Sequence, residues 1–182
     1  MAPPRTFVVA DTHFGHAEAI SLFRRPFADA AAMDEAMIAA INEVVTERDL
    51  LLHLGDFTGP SRPKRDLVSR AEEVRGRLRC GRIELVAGNH DPIDRKEFRR
   101  IFDAVHEIRS WKQEDGLRVV LCHYPLRTWQ GRLQGAVHLF GHAHGAMPDE
   151  GRSTDVGVDA RGFRPLELST IVAELRARPI GA

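Results

Sequence analysis

A chain of 182 residues with 43% hydrophobic and 29% charged residues has enough apolar material for one buried core, and we expect a single domain over residues 1–182. Its 26 basic residues balance 26 acidic ones, which excludes a whole-molecule attraction to nucleic acid or anionic membranes and requires any phosphate-binding charge to be local. Cys80 and Cys122 lack CxxC spacing, which excludes a disulfide framework or a thiolate zinc site and leaves two buried thiols suited to a reducing cytoplasm.

The apolar stretch from Phe7 to Ala10 is too brief for a signal-peptide core, and no later run approaches membrane-spanning length. Thr6 to Ala10, Leu50 to Leu54 and Arg82 to Ala87 read as buried strands, each ending in polar chemistry: Asp11, Gly55-Asp56 and Gly88-Asn89. Between the first two, residues Ala30 to Glu47 have helical periodicity, with Met33, Met37, Ile41, Val44 and Val45 inward and Asp34, Glu35, Asn42 and Glu43 outward.

A second helix is expected to begin with Pro63 in its first turn, to carry Leu67, Val68, Ala71, Val74 and Leu78 inward, and to stop before Gly81. Alternating strand and helix to about residue 100 indicates an α/β layout. Beyond that, Ala104 to Lys112 and Leu117 to Cys122 flank the hairpin signal Asp115-Gly116. Val137 to Phe140 and Thr154 to Val158 read as strands, and Thr170 to Ala177 as a closing helix with Ser169 as its N-cap.

The chemistry-bearing residues follow the strands. Asp11 and His13 are two apart, as are His142 and His144, so on extended backbone each pair projects to one face. A carboxylate with imidazoles from two strand ends can hold a first-row divalent cation, and a bridging carboxylate, for which Asp56 is the choice, permits a second. His123 adds an imidazole and Asn89 a neutral oxygen. Glycine precedes Asp56, Asn89 and His142, and its missing Cβ lets strand ends crowd around a small ion.

Taken in order, Asp11-Thr12-His13, Gly55-Asp56, Gly88-Asn89-His90-Asp91, His123 and Gly141-His142-Ala143-His144 resemble the calcineurin-like metallophosphoesterase family over residues 6 to 160. Asp11 to His16, Arg25-Pro26-Phe27 and His123 to Leu126 look like a small bacterial and phage-type subgroup of predicted phosphoesterases. The resemblance implies a two-sheet β-sandwich flanked by helices, a four-layer αββα arrangement of α/β class. It further implies two divalent cations, one held by Asp11, His13, Asp56 and His144 and the other by Asp56, Asn89, His123 and His142. Mn²⁺ is the first expectation, with Fe, Zn, Ni or Co also suited to such mixed ligands.

The implied reaction is hydrolysis of phosphate mono- or diesters by a hydroxide between ions ~3.5–4 Å apart. His90 would support the transition state or protonate the leaving oxygen, with Asp91 accepting its other ring N–H. His16 and Arg25 are candidates for substrate phosphate, and Arg127 and Trp129 for a base or leaving group; the alternatives are that His16 begins the following helix, that Arg25-Pro26-Phe27 is a turn packed under the site, and that Arg127 and Trp129 belong to a surface loop. His53, His106 and His138 read as core histidines. The substrate expected is a small phosphoester or nucleotide, with the site shallow and open. A nuclease acting on single-stranded nucleic acid and a non-catalytic metal-binding scaffold of the same fold are the alternatives.

Overall fold

The computed structural model describes residues 3–60 and 65–180. Its first sheet has the order β4-β3-β2-β1-β9, built from β1 (Thr6–Val9), β2 (Leu50–His53), β3 (Arg82–Val86), β4 (Ala104–His106) and β9 (Leu166–Glu167). Strands β1 to β4 run parallel, and β9 joins β1 antiparallel. The second sheet has the order β5-β6-β7-β8, from β5 (Ile108–Lys112), β6 (Arg118–Cys122), β7 (Val137–Phe140) and β8 (Ser153–Asp155). Here β5 and β6 form the expected hairpin, turning at Gly116 with φ +83°, but its first arm is only Ile108–Lys112, because Ala104–His106 of the expected Ala104–Lys112 arm pairs with β3 in the first sheet; β6, β7 and β8 are parallel.

Alternation along each strand makes two cores. Phe7, Val9, Leu51, Ile83 and Leu85 face the helices, packing with Met33, Met37 and Ile41 of α2 (Ala30–Val44), Ala71 and Val74 of α3 (Arg65–Arg77) and Phe98 of α4 (Lys96–Arg99). The opposite residues, Val8, Leu52, Leu54 and Val86, meet Val119, Leu121, Val137 and Leu139 of the second sheet. Helix α5 (Leu168–Ala177) inserts Leu168, Ile171, Val172 and Leu175 into that same core. The fold is therefore two facing sheets flanked by helices. Both faces of the first sheet are buried, which is why its strands read as nearly continuous apolar runs.

Several local expectations change. Asp29 caps α2 by accepting the Ala32 N–H at 2.8 Å, and the helix stops at Val44. Asp34, assigned to the wet face, is buried and accepts the Gly15 N–H at 2.9 Å, because the segment after β1 folds back over α2. Ser169 lies inside α5, whose N-cap is Glu167 without a side-chain capping bond. The proposed start of the second helix at Pro63 lies outside the described residues. Four short elements are not among those expected from sequence: α1 (Ala17–Leu22), directly after His16, the four-residue α4, a 3-10 turn at Arg132–Gln134 and the two-residue β9. No helix among the described residues is long and apolar enough to cross a membrane.

Candidate metal centre

Parallel strands place their C-terminal ends along one edge. Asp11, Asp56 and Asn89 follow β1, β2 and β3 of the first sheet, and His123 and His142 follow β6 and β7 of the second, so both sheets deliver these residues to the same rim. Close approach there depends on glycine. A Cβ built on Gly88 would lie 2.3 Å from an Asp56 carboxylate oxygen, and one on Gly141 would lie 2.6 Å from Asp11 Oδ2. Any larger residue would occupy the space that the carboxylates use.

Local backbone geometry differs from the extended strand ends inferred from spacing. Asp11, His13, Asp56, His142 and His144 all have positive φ, between 48° and 66°. Each is in the left-handed region that costs an L-residue roughly 1–2 kcal/mol, a form of strain that gathers at functional sites. The 11–13 and 142–144 pairs thus converge through two left-handed residues each, not through strand alternation.

Two groups result. Asp11, His13 and His144 offer atoms within 4.8 Å of one another, as do Asp56, His123 and His142. Asp56 Oδ2 lies between the groups, 3.5 Å from His13 Nε2 and 3.6 Å from His123 Nε2. Asn89 Oδ1 is 3.2 Å from His123 Nε2, which brings all seven sequence-predicted ligands together.

Electrostatics agree with cation binding. Burial, then the neighbouring His144 and Arg25, push His13 down to about 2, so its ring is neutral with an electron pair free. Its Nε2 is buried without a hydrogen-bond partner among the described residues. Burial raises Asp11 well above the usual carboxylate range, opposed by the His142 N–H that both its oxygens accept. Burial also lowers His123, against the pull of Asp56. An orphaned imidazole nitrogen facing desolvated carboxylates is an arrangement that a divalent cation satisfies and that protein alone leaves costly.

His90 stands beside the centre with its side chain 35% exposed and its Nε2 4.0 Å from Asp56 Oδ2. Its backbone N–H donates to Asp56 Oδ1 at 2.9 Å. Asp91 does not serve the His90 ring. Its buried carboxylate accepts the N–H groups of Asp56, Phe57 and Gly88 at 2.9, 3.0 and 2.8 Å, clamping the loops after β2 and β3 together. Burial pushes Asp91 up to about 7 despite those donors.

Arg25 is not a surface phosphate fork. Its buried guanidinium donates to both Asp159 carboxylate oxygens, at 2.8 and 2.7 Å, and to the carbonyls of Asp11 and Thr12 at 2.7 and 3.0 Å. His16 is buried, with its Nδ1 3.3 Å from His13 Nδ1, and lines the cavity over the centre with Leu22, Phe23, Pro60, Asn89 and His90. Trp129 and Arg127 line a separate cavity with Leu126, Phe140 and Met147. There the Trp129 indole N–H donates to the Ala136 carbonyl at 3.0 Å.

His53 and His138 are core residues, fully buried and neutral. His106 is half-buried, 3.2 Å from Glu84 on the neighbouring strand, and is not a core histidine. Sequence reasoning missed two residues. Asp159 accepts the His144 Nδ1–H at 2.7 Å, and the Phe23 ring stacks on His144 with centroids 3.5 Å apart. A signal for Asp159 existed, because it ends the short apolar stretch Val156–Val158 much as Asp11 ends Phe7–Ala10.

The sequence model of the calcineurin-like phosphoesterase superfamily domain matches residues 5–157. The chain belongs to the calcineurin-like phosphoesterase superfamily. Members of this superfamily generally use divalent metals. An uncharacterized protein of Methanocaldococcus jannaschii is 28% identical over 179 residues, covering 94% of this chain and 92% of its own length. A crystal structure of a protein of unknown function from Aquifex aeolicus superposes with a TM-score of 0.70 at 22% identity, covering 94% of this chain and 99% of the other, which shows a common fold. Nuclease MPE of Pseudomonas putida matches at 26% identity and a TM-score of 0.49, over 77% of this chain and 62% of its own.

Proposed function

We propose that this calcineurin-like chain is a binuclear metal-dependent phosphoesterase hydrolysing small phosphate mono- or diesters. The observation that carries the reading is the pair of adjoining groups, Asp11–His13–His144 and Asp56–His123–His142, with the orphaned His13 Nε2 of the first 3.5 Å from Asp56 Oδ2 of the second. Asp11, His13, Asp56 and His144 would hold one divalent cation, and Asp56, Asn89, His123 and His142 the other. Two such cations supply Lewis acidity, activating water and neutralising charge on the phosphoryl oxygens. Mn²⁺ is the metal proposed first.

The remaining work falls to the chain. His90, half-exposed at the rim, offers a ring nitrogen to the leaving oxygen, and its backbone bond to Asp56 fixes where that ring stands. His16 lines the cavity over the centre, and there it would contact the phosphoryl group of a bound substrate. Asp91 holds the peptide N–H groups on both sides of Asp56 and so keeps its carboxylate aimed between the two groups. The zero net charge favours a small substrate over a long polyanion.

Purified protein with Mn²⁺ should release nitrophenolate from p-nitrophenyl phosphate or bis(p-nitrophenyl) phosphate. His90→Ala should lower kcat roughly 10²–10⁴-fold, the usual span for a general acid, while still binding two ions. Full metal loading with no turnover of either ester would favour a metal-binding scaffold and sink the proposal.

A further inference from the structure

We infer that Arg25 and Asp159 form a positioning relay that acts through His144 and makes the Asp11–His13–His144 cation position the tighter of the two. The inference rests on the metal-binding half of the proposed function, not on hydrolysis.

Three observations carry it. First, the His144 Nδ1–H donates to Asp159 Oδ2 at 2.7 Å, which commits Nε2 as the nitrogen available beside Asp11 and His13. Second, Asp159 is fixed from behind. The Arg25 fork grips both its oxygens, and the guanidinium is itself fully buried. Third, the same guanidinium donates to the Asp11 and Thr12 carbonyls. One side chain thereby sets the left-handed Asp11–His13 segment and, through Asp159, the ring of His144. These residues come from four separate stretches of sequence, so no local turn accounts for their meeting.

The other group has no equivalent support. The His123 Nδ1–H donates to a neutral carbonyl, Leu54 O, at 2.8 Å, and the exposed His142 ring has no hydrogen bond among the described residues. Charge reinforces the contrast. The first position has the Asp11 carboxylate besides the shared Asp56, whereas the second has the neutral and exposed Asn89. A carboxylate behind a ligating imidazole raises ligand basicity and fixes the ring, and losing one typically costs 10–100-fold in affinity.

The test is Mn²⁺ titration of metal-free protein by calorimetry on wild type, Asp159→Asn, His144→Ala and the Asp159→Asn/His144→Ala double variant. Wild type should bind two ions in resolved steps. Asp159→Asn should weaken the tighter step about 10–100-fold and leave the weaker step within about twofold. In the His144→Ala background the same change should have almost no further effect, because its route to the metal has gone. Equal losses in both backgrounds, or a loss spread over both steps, would assign Asp159 a merely structural role and overturn the relay. Two indistinguishable steps in wild type would do the same.

Should Asp159→Asn fold poorly, proton NMR of metal-free wild type and His144→Ala provides the second measurement. A protected downfield ring N–H present in wild type and missing in His144→Ala supports the His144–Asp159 bond, and its absence from wild type overturns the relay. Hydrolysis enters neither measurement. Two tight ions with no turnover would therefore defeat the proposed activity and leave the relay standing.

Discussion

At five of the candidate ligands the side chain is aimed by a backbone conformation that L-residues avoid. His142 is the position where this conflict can be isolated, since its ring is exposed and its φ is 66°. Glycine enters that region without the Cβ penalty, so metal-free His142→Gly should be as stable as wild type or up to about 1 kcal/mol more stable, while losing the weaker cation. Urea unfolding in chelator measures this, and destabilisation beyond 1 kcal/mol would show that the strain argument is wrong. Asp91 predicts the opposite sign. In Asp91→Asn one of the three clamped N–H groups meets an amide NH₂, which should cost about 2–3 kcal/mol and weaken metal binding at the adjoining Asp56. The identities of these residues were legible because Asp, Asn and His after glycine-ended apolar runs are unusual. Their roles were less so. Arg25 suits a phosphate and Asp91 a neighbouring histidine ring by residue type, and only the partners that occupy their polar atoms reveal that Arg25 grips Asp159 and the Asp11 and Thr12 carbonyls and that Asp91 holds backbone N–H groups instead.

Among the elements, the long-period and strictly bounded ones were readable and the short ones were not. The α2 face, the β5–β6 hairpin and the strands preceding Asp11, Asp56 and Asn89 each have several residues repeating one pattern. Helix α1 has only six residues and a single buried one, Ala19, so no amphipathic period exists to detect. Strand β9 is two residues long and exists because β1 offers an open edge. The start of α2 is set by a device that spacing does not reveal, the Asp29 side chain accepting the Ala32 N–H at 2.8 Å. Asp29→Ala should therefore destabilise the protein by roughly 0.5–2 kcal/mol. Asp29→Asn, which retains an oxygen acceptor, should recover most of that loss in the same thermal or urea melt. If both variants lose stability equally, the capping bond is not what matters at this helix end.

For the whole molecule, the pairing of two sheets was not legible from pattern, because both faces of β1, β2 and β3 are apolar and neither face announces which layer it meets. The two-sheet architecture came from the family resemblance. Enclosure of its core creates a pH dependence that can be worked through from His53 and His138. Burial lowers His53 to about 3 and His138 to about 4. At His138 burial prevails over backbone hydrogen bonding that favours the charged ring; Nδ1–H donates to the Val120 carbonyl at 3.1 Å, and Nε2 accepts the Leu126 N–H at 3.1 Å, as a neutral imidazole can. Above the ordinary value of about 6.5 both rings are neutral folded or unfolded, and their contribution to stability is fully present. As pH falls below that value the unfolded chain takes up protons that the folded chain refuses, so stability declines, by about 2 kcal/mol per histidine between pH 7 and pH 5. The decline continues to about pH 4 for His138 and about pH 3 for His53. His138→Gln removes one of these protons. Its unfolding free energy, from urea melts of metal-free protein between pH 6 and pH 4.5, should fall less steeply than wild type by up to about 1.4 kcal/mol per pH unit. Parallel slopes would show that His138 titrates normally in the fold, and hence that the outer face of β7 is open to water.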